Sequence, residues 1–222
     1  LTIITGDTHG DFQRLSNMKQ KPTHVIILGD FGLLWTTEDN QELYWKKWLR
    51  EKPFEIIALQ GNHENFSRIH NLPKVERYGN TVYKYTDNIF ILIHGLDYFI
   101  DGRHYFCYGG ATSLDKASRK ENITWWEEEI PNYRYEQQAW DTIENTVRFD
   151  SVLTHTAPED VINELGYNFK FCPVSRLLGE FRKRLVCKQW FFGHLHEDKD
   201  IELNKIKYKA LYNGLYEVEE KV

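Results

Sequence analysis

The chain has little of several things that would place it quickly. Its 222 residues include three cysteines, Cys107, Cys172 and Cys187, and six prolines. An odd cysteine count without CxxC spacing excludes a disulfide framework and a zinc knuckle, and leaves buried, reduced thiols as the expectation. No apolar run approaches the roughly 20 residues of a membrane-spanning helix. The first strand already reaches polar residues at Asp7, so neither a membrane span nor a secretory leader is expected. An excess of positive charge is also missing. Lys plus Arg is 28 against 33 Asp plus Glu, a formal net charge of −5, so no global field recruits nucleic acid, although a local groove stays open. No internal repeat, low-complexity tract or Pro/Gly/Ser linker divides the chain. These absences lead to one cytoplasmic domain over residues 1–222, with no statement about oligomeric state.

What the chain does have is aromatic and β-branched sequence. Aromatic residues make up 15%, with seven tryptophans, among them Trp35, Trp45, Trp48, Trp125 and Trp126, and most of them are expected in the core. Short runs rich in β-branched and aromatic residues recur, each ending in Gly, Asn, Asp or His: LTIIT, THVIILGD, FEIIALQGNH, DSVLTHT and CKQWFFGHLH. Each reads as a buried strand entering a polar turn. Between them, Trp45, Trp48 and Leu49 fall at i, i+3 and i+4 and predict a helix over 39–52, stopped by Pro53. Further helices are predicted over 135–147, 158–165 with Gly166 as its cap, and 173–185. Strands alternating with helices in the first third argue for a parallel core, while TVYKYT, NIFILIHG and HYFCYGG look like a meander. The mixture predicts layered α/β architecture.

The ionisable residues gather at the ends of five of these strands, where α/β folds place ligand sites. The first turn, Gly6-Asp7-Thr8-His9-Gly10, sets Asp7 and His9 two residues apart so that both can point at one metal. Gly29-Asp30 supplies a carboxylate whose two oxygens can bridge adjacent cations about 3.5–4 Å apart. In Gly61-Asn62-His63-Glu64 the Asn carbonyl oxygen can be a neutral ligand while His63 faces substrate. His155 follows, and Gly193-His194-Leu195-His196 can aim two imidazoles at neighbouring metals. Any one such turn is weak evidence, and their occurrence together is not. Of nine histidines, His24, His70, His94 and His104 lie outside the pattern and are expected to be ordinary core or surface residues.

The order and spelling of these motifs resemble the calcineurin-like metallophosphoesterase superfamily, from Asp7 to His196. The resemblance implies an α/β fold, a four-layer α/β/β/α sandwich of two mixed sheets flanked by helices, with a dinuclear metal site at the strand C-termini. It implies that Asp7, His9, Asp30 and His196 hold one divalent ion and Asp30, Asn62, His155 and His194 the other, with His63 as catalytic acid. The oxygen and imidazole donors suit Mn2+ or Fe2+, with Zn2+, Co2+ and Ni2+ also compatible. Such a pair lowers the pKa of a bridging water and supplies hydroxide for attack on a phosphomonoester or phosphodiester.

The protein Ser/Thr phosphatase branch continues Gly-Asp into Val-Asp-Arg-Gly, whereas Gly29-Asp30 runs into Phe31-Gly32-Leu33. A small bacterial or phage-type member is the better fit. Residues 109–127 look like a segment of such members with no defined chemistry. There Lys116 or Arg119 is a candidate for substrate phosphate and Trp125 for a ring, and Arg14 near the first motif is a third basic candidate. Two alternatives stand beside the hydrolase. One is a nuclease, whose basic surface would come from Arg182-Lys183-Arg184 and the stretch from Lys116 to Lys120. The other is a catalytically silent protein-docking scaffold.

Overall fold

The computed structural model describes residues 1–19, 21–35, 39–168 and 172–218. In chain order the elements begin β1 (Thr2–Thr5), β2 (His24–Ile27), α1 (Asn40–Arg50), β3 (Glu55–Ala58), α2 (Phe66–His70), β4 (Lys74–Arg77), β5 (Asn80–Lys84) and β6 (Ile89–Leu92). They continue with β7 (Asp97–Ile100), β8 (Arg103–Tyr108), α3 (Tyr133–Glu144), β9 (Ser151–Thr154), α4 (Glu159–Glu164), α5 (Pro173–Arg182), β10 (Gln189–Phe192), β11 (Lys199–Leu203), β12 (Ile206–Ala210) and β13 (Tyr216–Glu217).

Two mixed sheets result. One has seven strands in the order β13-β1-β2-β3-β6-β5-β4, the other six in the order β11-β12-β10-β9-β8-β7. In each sheet the central strands run parallel, and antiparallel partners close the edges. Side-chain alternation along the central strands shows how the sheets are layered. On β2, Val25 and Ile27 join an apolar cluster with Phe12, Trp45, Leu49 and Ile69, beneath α1 and α2. Ile26 and, just beyond the strand, Leu28 turn the other way, into a cluster shared with Tyr105, Cys107, Leu153 and Phe191 of the second sheet. On that sheet, Phe106, Trp190 and Phe192 face outward onto Ala139, Val161, Leu178 and Phe181 of α3, α4 and α5. Three apolar interfaces therefore separate four layers: helices, sheet, sheet, helices. Because the central strands are buried on both faces, they read as unbroken apolar runs, and each large side chain so buried contributes about 1.5–3 kcal/mol.

The helices follow local chemistry. The Asp39 carboxylate accepts the Glu42 N–H at 2.8 Å and caps α1, which buries Trp45 and Leu49. The helix α3 starts two residues before the predicted 135, because the Asn132 side chain accepts the Arg134 and Tyr135 N–H groups. It ends three residues before the predicted 147, where Val147 is exposed and offers no apolar face to extend. At α5, Pro173 takes the first position, where its fixed φ suits a helix. That helix ends at Arg182 rather than 185, and Leu185 folds back so that its N–H reaches the Phe181 carbonyl at 2.9 Å. Among the described residues no helix is long and apolar enough to cross a membrane.

Candidate metal centre

Asp7 follows β1 by two residues, Asp30 follows β2 by three, Asn62 follows β3 by four, His155 directly follows β9, and His194 follows β10 by two. Five parallel strands thus deliver five turns to one place, and backbone hydrogen bonds lock the turns together. The N–H groups of Thr8 and His9 donate to the Asp30 carbonyl at 3.2 and 2.8 Å, and the Gly193 N–H donates to the His155 carbonyl at 2.9 Å. Glu64 is buried and accepts the Phe31 N–H at 3.0 Å and the Gly61 N–H at 3.3 Å, so one carboxyl group joins the second turn to the third. Burial, with Asp30 nearby, pushes that carboxyl well above the usual carboxylate range.

Several of these residues adopt backbone that side chains rarely tolerate. His9, Asp30, His194 and His196 have φ of 46°, 47°, 67° and 52°. Left-handed conformations of this kind cost free energy and persist where surrounding structure imposes them, often at functional sites. Close approach adds a second constraint. A Cβ on Gly61 would lie 2.0 Å from Asp30 Oδ1, so only glycine lets the third turn reach the second.

Among the described residues, side-chain geometry separates three groupings, in each of which one ligand atom per residue lies within 4.8 Å of the others: Asp7, His9 and His196; Asp7, Asp30 and His155; and His9, Asp30 and His63. His196 Nε2 is 3.1 Å from Asp7 Oδ2 and 2.9 Å from His9 Nε2. His155 Nε2 is 3.5 Å from Asp30 Oδ1. His194 falls outside these groupings, with its ring centroid 5.0 Å from that of His155. The carboxylates of Asp7 and Asp30 are 0% and 2% exposed. Burial alone would raise Asp30, but His155, His63 and His9 outweigh it and hold the carboxyl low. Burial and the neighbouring His155 push His194 down to about 3, and burial likewise lowers His9, so both rings present lone pairs at neutral pH. His196 moves the other way, raised by its hydrogen bond to Asp7.

The chemistry of this donor set fits cations. His155 Nδ1 donates to the Leu28 carbonyl at 2.7 Å, so Nε2 is the ring nitrogen turned toward the centre. The Asn62 amide nitrogen donates to Ser113 Oγ at 2.9 Å, which turns its Oδ1 toward that same Nε2 at 2.8 Å. An amide oxygen, an imidazole nitrogen and a buried carboxylate thus converge from three turns, a mixed oxygen and nitrogen donor set that suits a divalent cation.

The substrate candidates part ways. Arg119 reaches the centre: its Nη2 donates to His63 Nε2 at 3.2 Å and pairs with Asp115 at 2.6 Å. Asp115 Oδ1 is itself 3.8 Å from His63 Nε2, while His63 Nδ1 is 3.6 Å from Asp30 Oδ2. A cavity of about 260 Å³ opens on His9 and His63 and is walled by Trp35, Gln41 and Arg119. Arg14 instead turns to the backbone, donating to the Asp7 carbonyl at 2.9 Å and to the Tyr212 carbonyl. Lys116 lies 3.8 Å over the ring of the buried Trp125, and both line a cavity of about 810 Å³ on the Glu129 side. In the Arg182-Lys183-Arg184 run, Arg182 pairs with Asp160 and Lys183 with Glu180.

The four remaining histidines sit apart from the centre. Buried His94 accepts the Gly109 N–H on Nδ1 at 3.0 Å, and burial pushes it down to about 3, so it is a neutral core residue. All three cysteines are free, and burial pushes the Cys107 thiol up and Cys187 up to about 12. Tyr212, between β12 and β13, stacks on His196 with ring centroids 4.7 Å apart. The sequence reading missed this contact, and the only local signal for it is an aromatic residue in a short polar loop.

Residues 2–198 match the calcineurin-like phosphoesterase family, and the chain belongs to that family, whose members are dinuclear metal-dependent phosphoesterases. No curated protein matches the chain. Among solved structures, phosphopantetheinyl hydrolase from Mycobacterium tuberculosis is similar, with 14% identity and a TM-score of 0.50, covering 95% of this chain and 89% of that one. GAP50, the anchor in the inner membrane complex of Plasmodium, has 10% identity and a TM-score of 0.49, covering 95% of this chain and 70% of its own. The likeness to the hydrolase shows a shared fold alone.

Proposed function

We propose that the protein hydrolyses small phosphomonoesters or phosphodiesters with two divalent ions. One ion would be held by Asp7, His9, Asp30 and His196, the other by Asp30, Asn62, His155 and His194. The observation that carries this reading is the convergence of ligand atoms from five turns: Asp7, His9 and His196 in one grouping, and Asp30, His155 and Asn62 Oδ1, 2.8 Å from His155 Nε2, beside it. When bound, such ions lower the pKa of water and neutralise phosphoryl oxygens, and manganese or iron(II) suits the mixed oxygen and imidazole donors.

The chain's own residues do the rest. His63 donates a proton to the leaving alkoxide. In the present arrangement its Nε2 accepts from Arg119, and a guanidinium can only donate. A substrate phosphate that draws Arg119 to itself therefore frees Nε2 to carry the proton. The leaving group then occupies the cavity bounded by Trp35 and Arg119. Arg119 is the basic substrate contact in this reading, since Arg14 and Lys116 are engaged at the Asp7 carbonyl and at Trp125. Ion pairing of Arg182 and Lys183 with acidic neighbours favours a small phosphoester over a nucleic acid, which calls for uncompensated positive charge. The return of β13 to pair with β1 supports one domain, and three free thiols support a reducing, cytoplasmic setting.

The test is hydrolysis of p-nitrophenyl phosphate and bis-p-nitrophenyl phosphate by metal-stripped protein reloaded with manganese or iron(II). Metal-dependent turnover of either is expected, and the ratio of the two rates assigns monoester or diester preference. Stoichiometric metal binding without turnover of either would favour the docking scaffold.

A further inference from the structure

We infer that Ser113 and Glu129 are positioning residues that fix the Asn62 amide for metal binding, and that this is what the 109–129 segment contributes to the centre. The inference rests on the ligand set proposed above. Asn62, Ser113 and Glu129 are 4%, 4% and 2% exposed, so water does not compete for their hydrogen bonds. Glu129 Oε1 accepts the Ser113 N–H at 3.2 Å, and Oε2 accepts the Ser113 hydroxyl at 2.5 Å. With its only proton given to the carboxylate, Ser113 Oγ can do nothing toward Asn62 except accept. The Asn62 amide must then present Nδ2 to Ser113, as it does at 2.9 Å, and Oδ1 to the centre.

If the carboxylate were lost, the serine hydroxyl could donate to Asn62. The amide could then turn over and place its NH2 group, a donor that repels a cation, where Oδ1 now stands. The relay therefore sets the polarity of a ligand whose two faces are nearly the same shape.

The backbone is built to bring these residues together. Gly110 has φ of +84°, and a Cβ there would lie 2.4 Å from the Glu129 carbonyl oxygen. Its N–H donates to the Gln60 carbonyl at 2.9 Å, two residues before Asn62. The Gly-Gly that opens the segment and the Trp-Trp-Glu-Glu-Glu that closes it thus meet at the third turn of the metal centre. Trp126, buried, anchors the closing end by donating from Nε1 to Ser67 Oγ at 3.1 Å.

The experiment titrates metal-stripped protein with manganese, following each equivalent by calorimetry and the spin-coupled pair by electron paramagnetic resonance. It compares the unaltered chain with Ser113→Ala, Ser113→Thr, Glu129→Gln and Asn62→Ala. Ser113→Ala and the near-isosteric Glu129→Gln should keep the first equivalent and weaken the second by about 10–100-fold, with loss of the coupled signal. Ser113→Thr, which keeps the hydroxyl, should restore both. If Asn62→Ala weakens the second equivalent while Ser113→Ala and Glu129→Gln bind it with unaltered affinity, the relay is overturned and the ligand set stands. If Asn62→Ala itself binds two ions normally, the ligand set fails and the relay with it.

Discussion

At the start of β2, His24 sits between two carboxylates, with Nε2 3.3 Å from Glu55 and Nδ1 3.0 Å from Asp101. Beyond the other end of the same strand, Asp30 sits among His9, His63 and His155. The residue types are the same, and the arrangement differs. Around His24 every acceptor meets a donor: the Thr2 and Thr23 hydroxyls each reach Asp101 at 2.7 Å, Tyr78 reaches Glu55 at 2.6 Å, and Arg77 reaches its other oxygen. Around Asp30, whose Oδ1 accepts the His63 N–H at 2.8 Å, ligand atoms of several separate turns converge on backbone held in left-handed conformations. The first cluster is closed by its own donors, whereas the second gathers ligand atoms within 4.8 Å of one another, as the proposed ions require. A count of His, Asp and Glu does not separate them, but the convergence of ligand atoms does.

The largest effect should come from the carboxylate shared by both proposed ions. Asp30→Ala is expected to lose both metals and all metal-dependent hydrolysis, while Asp101→Ala at the opposite end keeps both. Equal loss in the two variants, measured by metal content after gel filtration, would erase the distinction between the ends. Next is His63→Ala, expected to lower turnover about 10²–10⁴-fold with two metals retained, as loss of a general acid should. Metal content decides the role, because His63 groups with His9 and Asp30 and depletion in that variant would make it a ligand.

A smaller effect is expected from Gly61→Ala, whose Cβ would collide with the Asp30 carboxylate. Overpacking of this kind costs about 1–3 kcal/mol. Manganese affinity should fall with the melting temperature, and a fall in stability alone would mean that the turn yields without moving Asp30.

The smallest effect belongs to the completed cluster. Burial alone would raise Asp101, but hydrogen bonds from Thr2, Thr23 and His24 outweigh it and bring the carboxyl from 3.8 to about 2. A depressed carboxyl contributes stability that is fully present above its unfolded pKa and is lost as pH falls through the folded one. Thermal melts should therefore show a loss between about pH 4 and pH 2 that Asp101→Asn lessens. An unchanged acid profile in that variant would remove Asp101 from the explanation.

The parts of the centre legible in sequence are those carried by single turns. Asp7 with His9, Asn62 with His63 and His194 with His196 are each close in sequence, and each follows a β-branched or aromatic run that could only be a buried strand. The same runs made layered α/β architecture legible, whereas the two-sheet sandwich was implied by the family resemblance that the turns carry. What sequence did not show depends on partners far apart in the chain. Ser113 bonds Asn62 across 51 positions, and Tyr212 stacks on His196 through a loop that the short strand β13 holds in place. Arg14 lies seven residues from Asp7 and looked free to reach a phosphate, until folding brought the Tyr212 carbonyl to it. Edge strands such as β4, mostly exposed and with charged residues at three of its four positions, lack the alternation that marks a strand.

The most direct test of the acceptor-rich end is anomalous diffraction from a manganese-loaded crystal. Two peaks about 3.5–4 Å apart are expected, with Asp30 between them, Asn62 Oδ1 and His155 Nε2 on one, and His9 and His196 on the other. A single peak, or peaks that leave Asn62 and His155 in direct contact, would contradict it.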